Sequence, residues 1–271
     1  MLYEIVLIYL LTGALAGFVS GLFGVGGAFT MAPALIIGLP LQGVPDHHVM
    51  HLSVGTALAV MATTSAYIAV LRYRVGDLQL PVTFRFVPWI VLGAVGGSLF
   101  GDFLPGDVLK AIFMGFILLT ILRGIFYKGH ETVAAGGDLD QVRGPGMWFH
   151  GTLTGITGSL LGPGPAIVIG PYLRNRRYSM PMIAATASAL AGLLGFSAAA
   201  GYIYGGFNEI GLPDYSLGFL YGPAFAGLAI GAFAGSPLGV RVSHHIPDVL
   251  VHRMFIGYLA LILFVMIMWG R

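Results

Sequence analysis

The sequence predicts an all-α integral membrane protein made of two related halves, and composition is the first reason. Of its 271 residues, 57% are hydrophobic and 9% are charged, and the mean hydropathy is +0.88. A soluble domain carries charge at roughly a quarter of its positions, so this chain has too few polar side chains to cover a water-facing surface. Its apolar runs are much longer than the ~10 alternating residues of a membrane β-strand, which favours helices.

The second reason is a glycine-rich stretch that occurs twice. The first copy runs over residues 13–35 and the second over 151–173, a constant shift of 138 positions that also places Pro33 on Pro171. That shift places the glycines at 13, 17, 24 and 26 on those at 151, 155, 162 and 164. We interpret the match as an internal duplication. It divides the chain into an N-terminal repeat (1–127), a linker (128–146) and a C-terminal repeat (147–271).

Each repeat is expected to open with a broken helix, V-shaped or re-entrant, followed by three transmembrane helices. In the first half the broken helix covers 2–22 and 28–39, then a polar loop covers 42–48, and helices follow over 49–71, 81–101 and 108–127. In the second half the break lies at 162–165, and helices follow over 181–204, 215–240 and 249–269. The segment 2–22 is predicted to be a retained helix, because it lacks the basic start and cleavage site of a signal peptide.

The orientation follows from the number of crossings and from the basic residues. If each half crosses the membrane an odd number of times, the second half starts on the opposite side from the first and is therefore inverted. Both termini then lie on one side of the membrane and the linker lies on the other. Of the 13 lysines and arginines, all but Lys110 and Arg271 fall on the linker side. Because positive residues concentrate on the cytoplasmic side, we expect a cytoplasmic linker and outward-facing termini in the cell inner membrane.

The helix breaks are the predicted substrate site. Glycine lets the backbone leave helical geometry, and the short helix after each break begins with unpaired N–H groups and the positive end of its dipole. Two such helix starts that converge from opposite sides would bind an anion. The candidate substrate-binding glycines are Gly24, Gly26, Gly27, Gly162 and Gly164. In contrast, the spacing of Gly13, Gly17 and Gly21 is typical of helix packing.

Hydroxyl residues near the breaks are further candidates. Ser53 and Thr56 lie early in the next helix of the first half, and Thr186 and Ser188 occupy a related place in the second. Their hydroxyls would either donate to an oxyanion or bond back to their own helix carbonyls, and both alternatives stay open. The histidines at 47, 48 and 51 have metal-like spacing but fall at a predicted membrane edge. We therefore predict no metal, no cofactor and no catalytic residues.

At these residues the chain resembles the sulfite exporter TauE/SafE family, also called the 4-toluene sulfonate uptake permease family. The matching residues are the glycines of the first break with Pro33, Gly55-Thr56, Tyr73-x-x-Gly76, and the set Gly93, Gly97, Ser98 and Gly101. The resemblance implies transport of a small anion, such as sulfite, an organosulfonate, thiosulfate or some carboxylates. The second copy departs from the family pattern, because it has Pro163 and Pro165 in its break and Ala185-Thr186 in place of Gly55-Thr56.

The predicted function is therefore secondary transport of a small, sulfur-containing anion, with export expected. No charged residue falls in the middle of a predicted span, and a cytoplasm-negative potential favours anion exit by ~2.3 kcal/mol per charge per 100 mV. An anion channel and an importer of a sulfur compound or carboxylate remain alternatives. A membrane-embedded enzyme is disfavoured because no nucleophile, base or metal set lies in the spans. The net charge of +2 does not indicate a nucleic-acid partner, and the oligomeric state stays open.

Overall fold

Ten α-helices make up nearly all of the structure, a computed structural model that describes residues 2–125, 142–243 and 245–269. The helices are α1 (Leu2–Phe23), α2 (Ala28–Gly38), α3 (Asp46–Arg74), α4 (Leu80–Asp102), α5 (Gly106–Ile125), α6 (Pro145–Leu161), α7 (Ala166–Arg174), α8 (Met180–Gly205), α9 (Gly222–Ser243) and α10 (Asp248–Trp269). A 3-10 turn (Pro40–Gln42) precedes α3, and two short strands, β1 (Ser216–Leu217) and β2 (Leu220–Tyr221), precede α9. The all-α prediction is confirmed.

Six helices in the described part of the chain are long and apolar enough to cross a membrane, namely α1, α3, α4, α5, α8 and α9. The apolar parts of α2 and α10 are shorter. A helix needs about 20 apolar residues to span the hydrocarbon core, so these lengths identify a multi-pass membrane protein. Of the predicted linker, only residues 142–146 are described, and α6 already begins within them at Pro145.

Two predicted boundaries were wrong for identifiable reasons. The helix α3 begins at Asp46, so His47 and His48 lie on a helix and not in a polar loop. Asp46 lies in the first turn, where its negative charge favours a helix start. The segment predicted as helix from 215 instead forms an antiparallel hairpin in which Ser216 pairs with Tyr221. Its turn contains Gly218 at φ +55°, a conformation that favours glycine.

Close helix packing organises the bundle around α3 and α8. A β-carbon built on Gly195 of α8 would lie 2.8 Å from the Cα of Ala62 in α3, so the two backbones almost touch. At the periphery, α1 packs on α9 and α6 packs on α4. A β-carbon on Gly13 would lie 2.2 Å from the carbonyl oxygen of Leu228. A β-carbon on Gly17 would lie 2.2 Å from the carbonyl oxygen of Ala232. The prediction that these glycines serve packing is confirmed.

Candidate functional site

Two short non-helical segments interrupt the bundle, and both contain candidate glycines. The first junction is residues 24–27, between α1 and α2, and the second junction is residues 162–165, between α6 and α7. Gly24 and Gly26 have φ values of +68° and +78°, and Gly162 has +77°. These angles lie in the left-handed region, which costs a residue with a side chain ~1–2 kcal/mol. Glycine at these positions therefore lets the chain leave each helix.

The structure brings the two junctions into direct contact. A β-carbon on Gly164 would lie 1.4 Å from the carbonyl oxygen of Val25 and 2.8 Å from the amide nitrogen of Gly26. A β-carbon on Gly162 would lie 3.2 Å from the β-carbon of Ala28. The missing side chain of Gly164 thus accommodates the backbone of the other half. The first and second junctions, far apart in sequence, form one continuous patch of backbone.

The two junctions differ in the amide donors that they present. At the first junction the Gly24 N–H donates to the Ser20 carbonyl at 2.8 Å, and the Thr30 N–H donates to the Gly27 carbonyl at 3.0 Å. The described residues provide no acceptor for the amides of Val25, Gly26, Gly27, Ala28 and Phe29. At the second junction Pro163 and Pro165 have no N–H at all. The first junction therefore carries most of the unpaired donors.

The four candidate hydroxyls have different environments. Those of Ser53 and Thr186 are fully buried and make no hydrogen bond within the described structure. The Ser188 hydroxyl donates back to the Ala184 carbonyl at 2.7 Å, which is the helix-bonding alternative. The Thr56 hydroxyl accepts the Tyr221 N–H at 2.9 Å and so fixes the hairpin to α3. Of the four, the Ser53 and Thr186 hydroxyls are the ones that make no hydrogen bond in the part of the chain that the structure describes.

These hydroxyls do not all lie at the junctions. Thr186 follows Ala184 by two residues, and the Cα of Ala184 would lie 2.7 Å from a β-carbon on Gly24. The helix α8 therefore contacts the first junction through Ala184, and Thr186 lies on the same turn but ~200° further around the helix axis. On α3, Met61 contacts Gly26, since its sulfur would lie 2.5 Å from a β-carbon there. Ser53 lies about two turns of α3 before Met61, ~12 Å along the axis.

The structure also identifies site-adjacent residues that the sequence analysis did not select. Met61 fills the space beside Gly26, and Arg72, which directly follows the predicted span 49–71, is fully buried. The Nη2 of Arg72 donates to the Gly21 carbonyl at 2.7 Å, near the end of α1. The sequence contained one indication that Met61 and Arg72 act together: their spacing of 11 residues places both on one face of a helix.

The histidines make backbone contacts. The Nε2 of His48 lies 3.2 Å from the Ile210 carbonyl, and that of His51 lies 3.3 Å from the Gly101 carbonyl. Within the described residues no cluster of three or more His, Asp or Glu side chains is placed to hold a metal ion. His244, which forms a sequence pair with His245, lies outside the described residues.

Comparison with known proteins gives the family. The family model described as "Sulfite exporter TauE/SafE" matches residues 9–266. The chain belongs to this family. It is also similar to two proteins named "probable membrane transporter protein": one from Haemophilus influenzae, 28% identical over 96% of this chain and 97% of that one, and one from Methanocaldococcus jannaschii, 25% identical over 88% and 86%. No solved structure matches the chain.

Membership of the TauE/SafE family makes the protein a membrane transporter and not an enzyme. A third relative of the same description, from Bacillus subtilis, is 30% identical over 44% of each chain. The family implies a small anionic substrate in general terms.

Proposed function

We propose that the protein is a secondary transporter that exports a small oxyanion across the cell inner membrane and binds it at the two junctions. The observation that supports this most is the set of unpaired amides at the first junction. They lead into and include the first residues of α2, an 11-residue helix whose N-terminal dipole favours negative charge. The buried, unpaired hydroxyl of Thr186 adds a donor from the other half of the chain. Sulfite, an organosulfonate or thiosulfate has oxygen atoms that accept hydrogen bonds from these amides and this hydroxyl.

The two halves are proposed to be inverted repeats, and their packing supports this. The shift that relates the glycine-rich copies pairs α1 with α6, and it also pairs α4 with α9, since Gly93 falls on Gly231. In the structure α1 packs on α9, while α6 packs on α4. The opening helix of each half (α1 or α6) therefore packs on the α4-type helix of the other half (α9 or α4). Such an exchange is expected of two repeats related by a pseudo-twofold axis.

The half-sites are chemically unequal, and this favours a substrate with two different ends. The first junction presents amides, whereas the prolines of the second remove donors and leave an apolar surface. We propose that the oxyanion group binds the first junction. A sulfur atom or a short organic group then lies against Pro163 and Pro165.

Transport requires the two junctions to separate, because the contact between Gly164 and Val25 leaves no room for a side chain. We propose that rocking of one half against the other opens this contact from each side in turn, as in other inverted-repeat transporters. The described structure then corresponds to a closed arrangement. An inside-negative potential drives the anion outward.

The test is flux in proteoliposomes with a clamped potential. Sulfite, thiosulfate, sulfoacetate and sulfate are loaded into the vesicles in turn, and we expect saturable efflux that rises with an inside-negative potential. Flux that does not saturate would support a channel instead. Flux that ignores the potential and follows a pH gradient would support proton-coupled import. Gly26→Ala should reduce the flux, whereas Gly38→Ala, at a glycine with open space around it, is the matched control.

A further inference from the structure

A single arginine is buried at the end of α3, against the end of α1. Arg72 is 0% exposed. Besides the Gly21 carbonyl, its guanidinium contacts the Ser243 hydroxyl of α9 at 3.3 Å and the Asp77 carboxylate at 3.4 Å. The last distance exceeds the ~2.7–2.9 Å of a strong charge-assisted hydrogen bond. The carboxylate is therefore a loose partner for this charge.

Several polar atoms beside Arg72 are left without partners. Its own Nε and the hydroxyls of Ser65 and Ser20 are buried and make no hydrogen bond within the described structure. Buried polar atoms are normally paired, so this cluster has an unmet demand for acceptors. An anion supplies acceptors to all three groups.

The cluster extends from Arg72 toward the first junction. Ser65 precedes Arg72 by seven residues, which is close to two helical turns, so both lie on one face of α3. Met61, one turn earlier on that face, contacts Gly26. Ser20 adjoins Gly21, the residue whose carbonyl Arg72 binds. Along α3, Ser65 thus lies between Arg72 and the residue that contacts the first junction, whereas Ser20 lies one residue before the carbonyl that binds the guanidinium.

We propose that Arg72 is a substrate-binding residue on the linker side of the first junction, and that Asp77 and the transported oxyanion compete for its guanidinium. The anion displaces Asp77 and accepts hydrogen bonds from Arg72, Ser65 and Ser20. It then passes to the junction amides. This rests on the proposed function. It adds a specific charge to a site that otherwise consists of amides and hydroxyls, and it explains how a compact anion enters an apolar bundle.

A purely structural role for Arg72 makes a different prediction. A cation near the C-terminal end of α1 stabilises that end, and its contacts hold α3 to α1 and α9. In that role Asp77 only supports Arg72, so neutralising the carboxylate weakens anion binding or leaves it unchanged. If Asp77 competes with the substrate, the same change tightens binding. The sign of the effect therefore separates the two roles.

The experiment measures the Kd of the purified, full-length protein for sulfite, thiosulfate and sulfoacetate. For whichever anion binds most tightly, Asp77→Asn is expected to lower Kd about fivefold. Arg72→Gln is expected to raise Kd ~30-fold or more, because truncating a buried charge partner is costly. In the double variant the gain from Asp77→Asn disappears, and Arg72→Lys gives an intermediate Kd. Arg74→Gln, which removes the same charge from an exposed neighbour, is the control.

The outcomes separate this inference from the proposed function. If the wild type binds an anion but Asp77→Asn fails to tighten it, or Arg74→Gln weakens binding as much as Arg72→Gln, Arg72 is structural and the transporter proposal stands. If the wild type binds none of the three anions, the proposed function fails and the inference fails with it. If Arg72→Gln does not fold, the change in Kd for Asp77→Asn decides alone.

Discussion

Gly164 and Val25 come closer than any residue with a side chain would allow at position 164. A β-carbon on Gly164 would lie 1.4 Å from the Val25 carbonyl oxygen and 2.0 Å from its carbon. No φ constraint is involved, because Gly164 is not among the residues of positive φ. The requirement for glycine is therefore purely steric, and it comes from the opposite half of the chain. The two halves meet here through their backbones.

Gly164→Ala should destabilise the folded protein. The added methyl group overlaps backbone, which cannot rotate away as a side chain can, and we expect a loss of ~3 kcal/mol or more in the free energy of unfolding. The measurement is thermal unfolding of the purified protein in detergent. Gly170→Ala on α7 is the control, since its β-carbon would have ordinary contact, 3.7 Å from Ile183. Equal melting temperatures for the two variants would contradict the close contact between Gly164 and the Val25 carbonyl.

Thr186→Val should weaken anion binding without destabilising the protein. The hydroxyl of Thr186 is buried and has no partner, so replacing it with a methyl group removes a desolvation cost and no protein hydrogen bond. We expect an unchanged or higher melting temperature together with a Kd that rises ~5-fold or more for the bound anion.

Ser188→Ala is the matched control for this hydroxyl. Its hydroxyl donates to the Ala184 carbonyl at 2.7 Å and is not available to a substrate. Its Kd should therefore match that of the wild type. The site assignment of Thr186 fails if both variants bind the anion as the wild type does.

Thr56→Val should destabilise the hairpin that precedes α9. The Thr56 hydroxyl accepts the Tyr221 N–H at 2.9 Å, and valine leaves this amide without a partner at a cost of ~1–3 kcal/mol. Thr56→Ser retains the acceptor and is the control. The readouts are thermal unfolding and hydrogen exchange at Tyr221. Similar exchange in the two variants would show that this bond does not hold the hairpin.

The proposed orientation can be tested with single cysteines, because the chain has none of its own. Ile210 is 91% exposed after α8, and Val75 is 59% exposed after α3. Inverted repeats with a cytoplasmic linker place Ile210 outside the cell and Val75 inside. In intact cells a membrane-impermeant maleimide should label Ile210→Cys only, and Val75→Cys should react after permeabilisation. The reverse pattern would overturn the orientation.

Local sequence signals were sufficient for the helices but not for all of their ends. Long apolar runs predict spans because the bilayer core leaves backbone groups no partner except those within the helix. The start of α9 was missed because residues 216–221 are apolar enough to extend a helix. Their hairpin depends on Gly218 and on the bond from Tyr221 to Thr56, a residue 165 positions away. Such a partner is invisible to a local pattern.

The sequence by itself determined that the chain is a helical membrane protein, and it predicted a duplicated glycine-rich stretch with helix breaks at its glycines. These properties follow from composition and spacing, which act locally along the chain. Only the tertiary structure decided that the two junctions touch, that Thr186 keeps a free hydroxyl while Ser188 does not, and that Arg72 is buried. Each of these depends on which distant backbone fills the space beside a residue, as the Val25 carbonyl does beside Gly164.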